Sequence, residues 1–163
     1  MWILMYKKQT IQFLVMGRRF KRIPPKVDLD CKEIKIPLRM WKRKHQDEIY
    51  FDSTEECKAY KLLESLKVKF EFQPELTLFE SLHTSTFKRD KIKPMIQRAI
   101  RFTPDFLLLN SNPKTYIEYK GYETDDFKMR WKLFKLTGHE GYIVSSLTEL
   151  RFLIAELQKR NVI

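Results

Sequence analysis

The sequence predicts an α/β fold: a central mixed β-sheet flanked by helices, with a basic N-terminal extension over residues 1–50. Three observations predict it. Helical apolar patterns beginning near Ser53, Thr124 and Ser146 alternate with short β-prone runs. Asn110-Ser111-Asn112-Pro113 is a dense turn signal between two such runs, which makes a hairpin. Charge is uneven as well. Residues 1–50 carry a net +8 and the remaining 113 residues only +3, so the first part reads as an arm attached to a domain over 51–163.

Within the arm, basic residues mix with aromatics in Gly17-Arg18-Arg19-Phe20-Lys21-Arg22 and Trp41-Lys42-Arg43-Lys44. Pro24-Pro25 and Pro37 argue for short strands and loops. Such a mixture suits phosphate contact with base stacking, and equally a sheet edge protected by lysines; both readings stand. Phe51-Asp52-Ser53-Thr54-Glu55-Glu56 places N-cap residues ahead of Tyr60, Leu62, Leu63 and Leu66, so a helix starts near Ser53. Val68 to Phe72 alternates like a half-buried strand, Gln73-Pro74 breaks it, and Leu76 to Phe79 resumes.

Residues 83–101 set Lys88, Arg89, Lys91, Lys93, Arg98 and Arg101 against Asp90 alone, and read as a mobile loop that orders on nucleic acid. Phe106-Leu107-Leu108-Leu109 and Tyr116-Ile117 are the two arms of the hairpin. The next helix opens at Thr124-Asp125-Asp126 and closes at Gly138. It carries Phe127, Trp131 and Phe134 as an apolar stripe, with Lys128, Lys132 and Lys135 at the same spacing on a neighbouring face. Gly141 to Ser145 is a strand. Ser146-Leu147-Thr148-Glu149 is a capping box that starts a last helix with Leu150, Leu153, Ile154 and Leu157 on one face.

Composition narrows the function classes. The chain has 163 residues, 43% hydrophobic and 33% charged, which suits one globular domain and argues against global disorder. A net charge of +11 points to a polyanionic partner, most often nucleic acid. Only four glycines occur and no phosphate-cradling glycine fingerprint is present. Cys31 and Cys57 have no pair spacing, so neither a disulfide framework nor a zinc site is expected, and they fit a reducing compartment. His45, His83 and His139 are scattered, which again gives no zinc cluster. The N-terminus is apolar first and basic after, the wrong order for a signal peptide. No run approaches the ~18 apolar residues of a membrane span. The expected location is the cytoplasm, that of the host cell if the gene belongs to a phage.

The chemistry concentrates at the hairpin. Asp105 precedes the first arm, and twelve residues later comes Glu118-Tyr119-Lys120. Folding brings Asp105 and Glu118 together from neighbouring strands, and Glu118 and Lys120, two apart, project to one face. Two carboxylates with an ammonium suit Mg²⁺, which takes oxygen ligands and retains waters and substrate phosphate oxygens. A solvated surface hairpin would contain the same residue types.

With Pro104-Asp105 and Glu118-x-Lys120, the chain resembles the PD-(D/E)XK, restriction-endonuclease-like, nuclease superfamily over roughly residues 50–145. It is similar in particular to small phage endonucleases and Holliday-junction resolvases. That similarity rests on Phe51-Asp52-Ser53 with Glu56, on Gln73-Pro74, on Asp105-Phe106, and on Lys120-Gly121 with Thr124. The resemblance implies a restriction-endonuclease-like core. It implies Asp105, Glu118 and the Tyr119 backbone carbonyl as ligands of Mg²⁺, with Mn²⁺ able to substitute, and Lys120 as the residue that positions water. Glu56 would hold a metal-bound water or a second metal, and Gln73 would support the site. Glu56 also completes a capping box with Ser53, so its role has two readings.

The expected function is a metal-dependent DNA endonuclease, selective for branched DNA or junctions. Its DNA contacts would come from Arg98, Arg101, Lys128, Lys132, Arg18, Arg19, Lys42 and Arg43. Two matched cuts in a junction call for a homodimer, formed through the arm or the first helix, and no membrane partner is expected. Other readings stay open: a non-catalytic nucleic-acid-binding accessory protein, a transposase-like or restriction-type cleaving subunit, and an RNA-processing nuclease.

Overall fold

The computed structural model describes residues 25–46 and 48–163. Its elements are α1 (Leu38–Lys44), α2 (Thr54–Ser65), β1 (Phe70–Phe72), β2 (Leu76–Phe79), β3 (Leu82–Lys88) and β4 (Lys91–Gln97). They continue with β5 (Ile100–Phe102), β6 (Phe106–Leu108), β7 (Thr115–Tyr119), α3 (Asp125–Leu136), β8 (Glu140–Val144) and α4 (Leu147–Lys159). The mixed α/β class is as expected. The main sheet runs β1-β6-β7-β8, antiparallel except where β7 and β8 lie parallel across the α3 crossover. No helix among the described residues is long and apolar enough to cross a membrane.

Strand alternation sorts the core into two layers. Phe106, Leu108, Ile117 and Val144 face α2 and α4, meeting Leu62, Leu63, Leu150 and Ile154. Their neighbours Leu107 and Tyr116 face the other way, towards Phe127 and Phe134 of α3 and towards Leu78 and Phe102 of the β2–β5 pair. A period of two in the strands therefore covers both faces of the sheet with helices.

The helix starts follow their caps. The hydroxyls of Ser53, Thr124 and Ser146 accept the backbone N–H three residues on, at 3.1, 3.2 and 3.2 Å. Glu149 reaches back to the Ser145 N–H at 2.7 Å. Gly138, at φ 85°, ends α3 in the left-handed region that glycine tolerates. The Lys128–Lys132–Lys135 stripe is exposed, and Lys135 pairs with Glu140 at 3.1 Å.

Three expectations are corrected. Residues 25–50 are not only strands and loops, because α1 carries Trp41-Lys42-Arg43-Lys44 and buries Trp41. An amphipathic turn that hides one indole outweighs the proline signal at Pro37, which sits at the N-cap where proline is tolerated. Cys31 and Cys57 form a disulfide, with Cα atoms 5.7 Å apart. Backbone bridges from Val27 to Phe51 and Glu33 lay this loop over the first turn of α2, a non-local contact that linear spacing cannot encode. With both thiols paired, cysteine usage no longer argues for a reducing compartment. Residues 83–101 are not a loop: β3 and β4 pair in register from Leu82↔Gln97 to Lys88↔Lys91. Arg89 and Asp90 both hold positive φ (51° and 57°), as a two-residue type I′ turn requires. That dipeptide lacks the glycine or asparagine that usually announces such a turn. Arg18 and Arg19 lie outside the described residues.

Gly141 gives a test of the packing. A Cβ there would stand 2.9 Å from Cε1 of the buried Phe134 and 3.1 Å from Trp131. These rings stack on one another, with centroids 4.9 Å apart, so neither yields freely. Gly141→Ala is expected to cost about 1–3 kcal/mol, read as a lower urea midpoint with an unchanged slope. An unaltered midpoint would disprove this account of the α3 layer.

Candidate active site

The site is built where β6 and β7 pair. The register Phe106↔Ile117 places Asp105, just before β6, beside Glu118 in β7. The Tyr119 N–H donates to Asp105 Oδ2 at 2.7 Å, locking the carboxylate at the strand start. Gln73 follows β1 and its N–H donates to the Asp105 carbonyl at 2.8 Å. Gln73 holds a left-handed φ of 49°, a conformation costing a non-glycine residue about 1–2 kcal/mol. Its side chain nevertheless reaches Glu56, the amide donating to Oε1 at 2.9 Å.

Glu56 completes the capping box and also borders the cleft. Its N–H is capped by Ser53, its Oε2 accepts the Asp52 N–H at 2.6 Å, and its carboxylate lines the same cleft as Asp105 and Glu118. Lys120 points along Glu118, its Nζ donating to Oε1 at 3.2 Å while lying 4.7 Å over the Phe127 ring. Glu56, Gln73, Asp105, Glu118, Tyr119 and Lys120 thus line one cleft of about 660 Å³. A second, of about 350 Å³, shares Glu118 and Lys120 and adds Arg101 and Arg130.

Electrostatics there are unfavourable by design of the fold. Burial, then the nearby Glu118 and Glu56 charges, hold the Asp105 carboxyl well above the usual carboxylate range. Burial raises Glu118 too, opposed by Lys120. Burial raises Glu56, opposed by Gln73 and the Asp52 N–H. Glu118 is 4% exposed, and its Oε2 is buried without a hydrogen-bond partner among the described residues.

An orphaned carboxylate oxygen amid negative charge fits a divalent cation. Among the described residues no three His, Cys, Asp or Glu side chains form a ready cage, but Mg²⁺ is usually held by one or two carboxylates plus water and substrate oxygens. Asp105 and Glu118 meet that need.

Sequence reading did not single out Lys26, Tyr50 and Thr103, which also line the cleft. Lys26 forms an ion pair with Asp52. It arrives through the Val27–Phe51 bridge, for which the sequence carries no local signal. Of the expected DNA-contacting residues, Arg101 borders the second cleft and pairs with Glu75 at 2.6 Å. Lys42 lies 4.5 Å over the ring of Tyr50, at the edge of the first cleft. Arg43, Arg98, Lys128 and Lys132 are exposed and line neither.

A mixed sheet whose hairpin presents two carboxylates and a lysine in one cleft defines an acidic site on an α/β scaffold. The chain belongs to the family described as Protein of unknown function (DUF1064), whose match spans residues 40–151 and so includes all six of these residues. No curated protein and no solved structure matches it.

Raised carboxyl pKa values mean that the native state binds more protons than the unfolded chain. Stability of the metal-free protein should therefore fall as pH rises from the ordinary carboxylate range through the raised values. Asp105→Asn removes the charge while its amide oxygen keeps the Tyr119 N–H. Metal-free Asp105→Asn is expected to melt about 3 °C or more above the parent at pH 7.5, with the gap closing towards pH 4. A lower melting temperature at pH 7.5 would sink the electrostatic account.

Proposed function

We propose that the protein is a divalent-metal-dependent DNA endonuclease of the PD-(D/E)XK type. The observation that carries this reading is the half-buried Asp105 next to the buried Glu118 and Lys120, with Glu118 Oε2 unpartnered among the described residues. Also in support, α2 precedes a mixed sheet, α3 crosses from β7 to β8, and the net charge is +11. That order suits a restriction-endonuclease-like core.

Asp105 and Glu118, with the Tyr119 carbonyl, would hold Mg²⁺, or Mn²⁺ in its place. When bound, the cation supplies Lewis acidity towards a phosphoryl oxygen and lowers the pKa of water. Lys120 supplies a fixed positive charge where the phosphoryl oxygens gain negative charge as water adds to phosphorus and the bond to the 3′ oxygen breaks. Glu118 Oε1 and the Phe127 ring hold that ammonium in place. Gln73 and the Asp52 N–H keep Glu56 aimed at the cleft. Branched DNA is the proposed preferred substrate, and a homodimer the proposed assembly for paired cuts.

Labelled linear duplex, single strand and four-way junction, incubated with Mg²⁺, Mn²⁺ or EDTA, test the reading. Metal-dependent cuts are expected, strongest near the branch, with Lys120→Ala and Glu118→Ala slower by about a hundredfold or more. Uniform cutting of all substrates would keep the nuclease and drop the branch preference. Binding with no cutting under either metal would favour a non-catalytic accessory protein.

A further inference from the structure

The β3–β4 hairpin belongs to neither core layer. Among the described residues it pairs only with itself, and two-stranded hairpins alone are marginal in water. Seven residue pairs give it a length of about 23 Å. Its strands continue from β2 and into β5, which leads through Thr103 and Pro104 to Asp105, so the ribbon is rooted at the rim of the acidic cleft.

Towards its turn, register gives the ribbon two unlike faces, because directly paired residues share a side; nearer its base the lysine face also carries Leu82 and Met95. One face carries Thr86↔Lys93 and Lys88↔Lys91. The other carries Phe87↔Ile92 and His83↔Ile96. Phe87 and Ile92 are 72% and 75% exposed. The Lys88↔Lys91 pair sets like charges directly opposite each other, which is destabilising unless an anion lies against them. Arg89 adds a further positive charge at the turn, against Asp90 alone.

We propose that the β3–β4 ribbon is a DNA-gripping arm: Lys88, Lys91 and Lys93 take phosphates, and the Phe87–Ile92 pair packs on bases that are already unstacked, as at a branch point. The choice of DNA rests on the nuclease reading; the need for a polyanion rests on the ribbon's own charge. A two-stranded ribbon fits the major groove. Long lysine stems reach flanking phosphates while an aromatic ring offers a sequence-tolerant stacking surface. A second copy of the chain packed on the apolar face is the weaker occupant, since it would leave Lys88, Lys91 and Lys93 on the opposite face unanswered.

The test measures equilibrium binding to duplex and to a four-way junction in EDTA, so that it does not depend on cleavage. Lys88→Gln/Lys91→Gln/Lys93→Gln should weaken both complexes and flatten log K against log salt by up to about 2.7, at about 0.9 per lost duplex contact. Phe87→Thr/Ile92→Thr keeps β-prone residues and should weaken junction binding about 5- to 150-fold with the duplex affected far less. Phe87→Trp, which retains an aromatic face, should keep the junction preference in a far-UV-checked fold. Unchanged affinity and slope in the first two variants overturns the arm. So does a shift of DNA-free Phe87→Thr/Ile92→Thr from dimer to monomer with DNA affinity intact, which would assign the apolar face to a second copy. Variant-sensitive binding without any metal-dependent cutting by the parent would keep the arm and remove the nuclease reading. Cutting with variant-insensitive binding would do the reverse.

Discussion

The pairing of β6 with β7 is the constraint on which the rest of the structure depends. One register brings Asp105 beside Glu118, gives Asp105 Oδ2 the Tyr119 N–H, and projects Lys120 along Glu118. A slip of one residue would turn Glu118 and Lys120 into the α2–α4 layer and Ile117 out of it. The register is secured because every neighbour of these polar groups is committed elsewhere: Phe106 and Ile117 to one core layer, Leu107 and Tyr116 to the other.

Those layers also sustain an electrostatic cost. Three carboxylates, on α2, before β6 and on β7, are driven towards protonation chiefly by burial. Burial outweighs the hydrogen bonds that Asp52, Gln73, Tyr119 and Lys120 give them, and Glu118 Oε2 goes unanswered within the described residues. A fold that spends hydrophobic burial on an unfavourable acidic cleft is organised around something other than stability. In the proposed reading, that something is a cation and a phosphodiester.

The cleft and the ribbon are linked by the chain itself. The segment from Gln73 to Asp105 leaves the site, forms β2 and β3, turns at Arg89-Asp90, and returns through β4 and β5. Both of its ends are hydrogen-bonded at the carboxylate cluster, Gln73 to Glu56 and to the Asp105 backbone. In the proposed reading, substrate grip and substrate chemistry therefore share one segment.

The sequence by itself determined what is local. Caps at Ser53, Thr124 and Ser146, the period of two in β6 and β7, the stripe Phe127–Trp131–Phe134 and the turn after Leu109 all depend on residues within a few positions of each other. Their elements lie where the pattern puts them, to within a residue or two. The grouping of Asp105, Glu118 and Lys120 was legible for the same reason, since a hairpin is the shortest long-range contact. Tertiary structure alone decided the rest. The Cys31–Cys57 bond and the arrival of Lys26 at the cleft depend on a bridge between Val27 and Phe51, distant in the chain. Residues 82–97 form a ribbon because cross-strand pairing outweighs a turn dipeptide with poor intrinsic preference. Local propensity is written residue by residue; which distant segments meet is set by the burial and pairing of the whole chain.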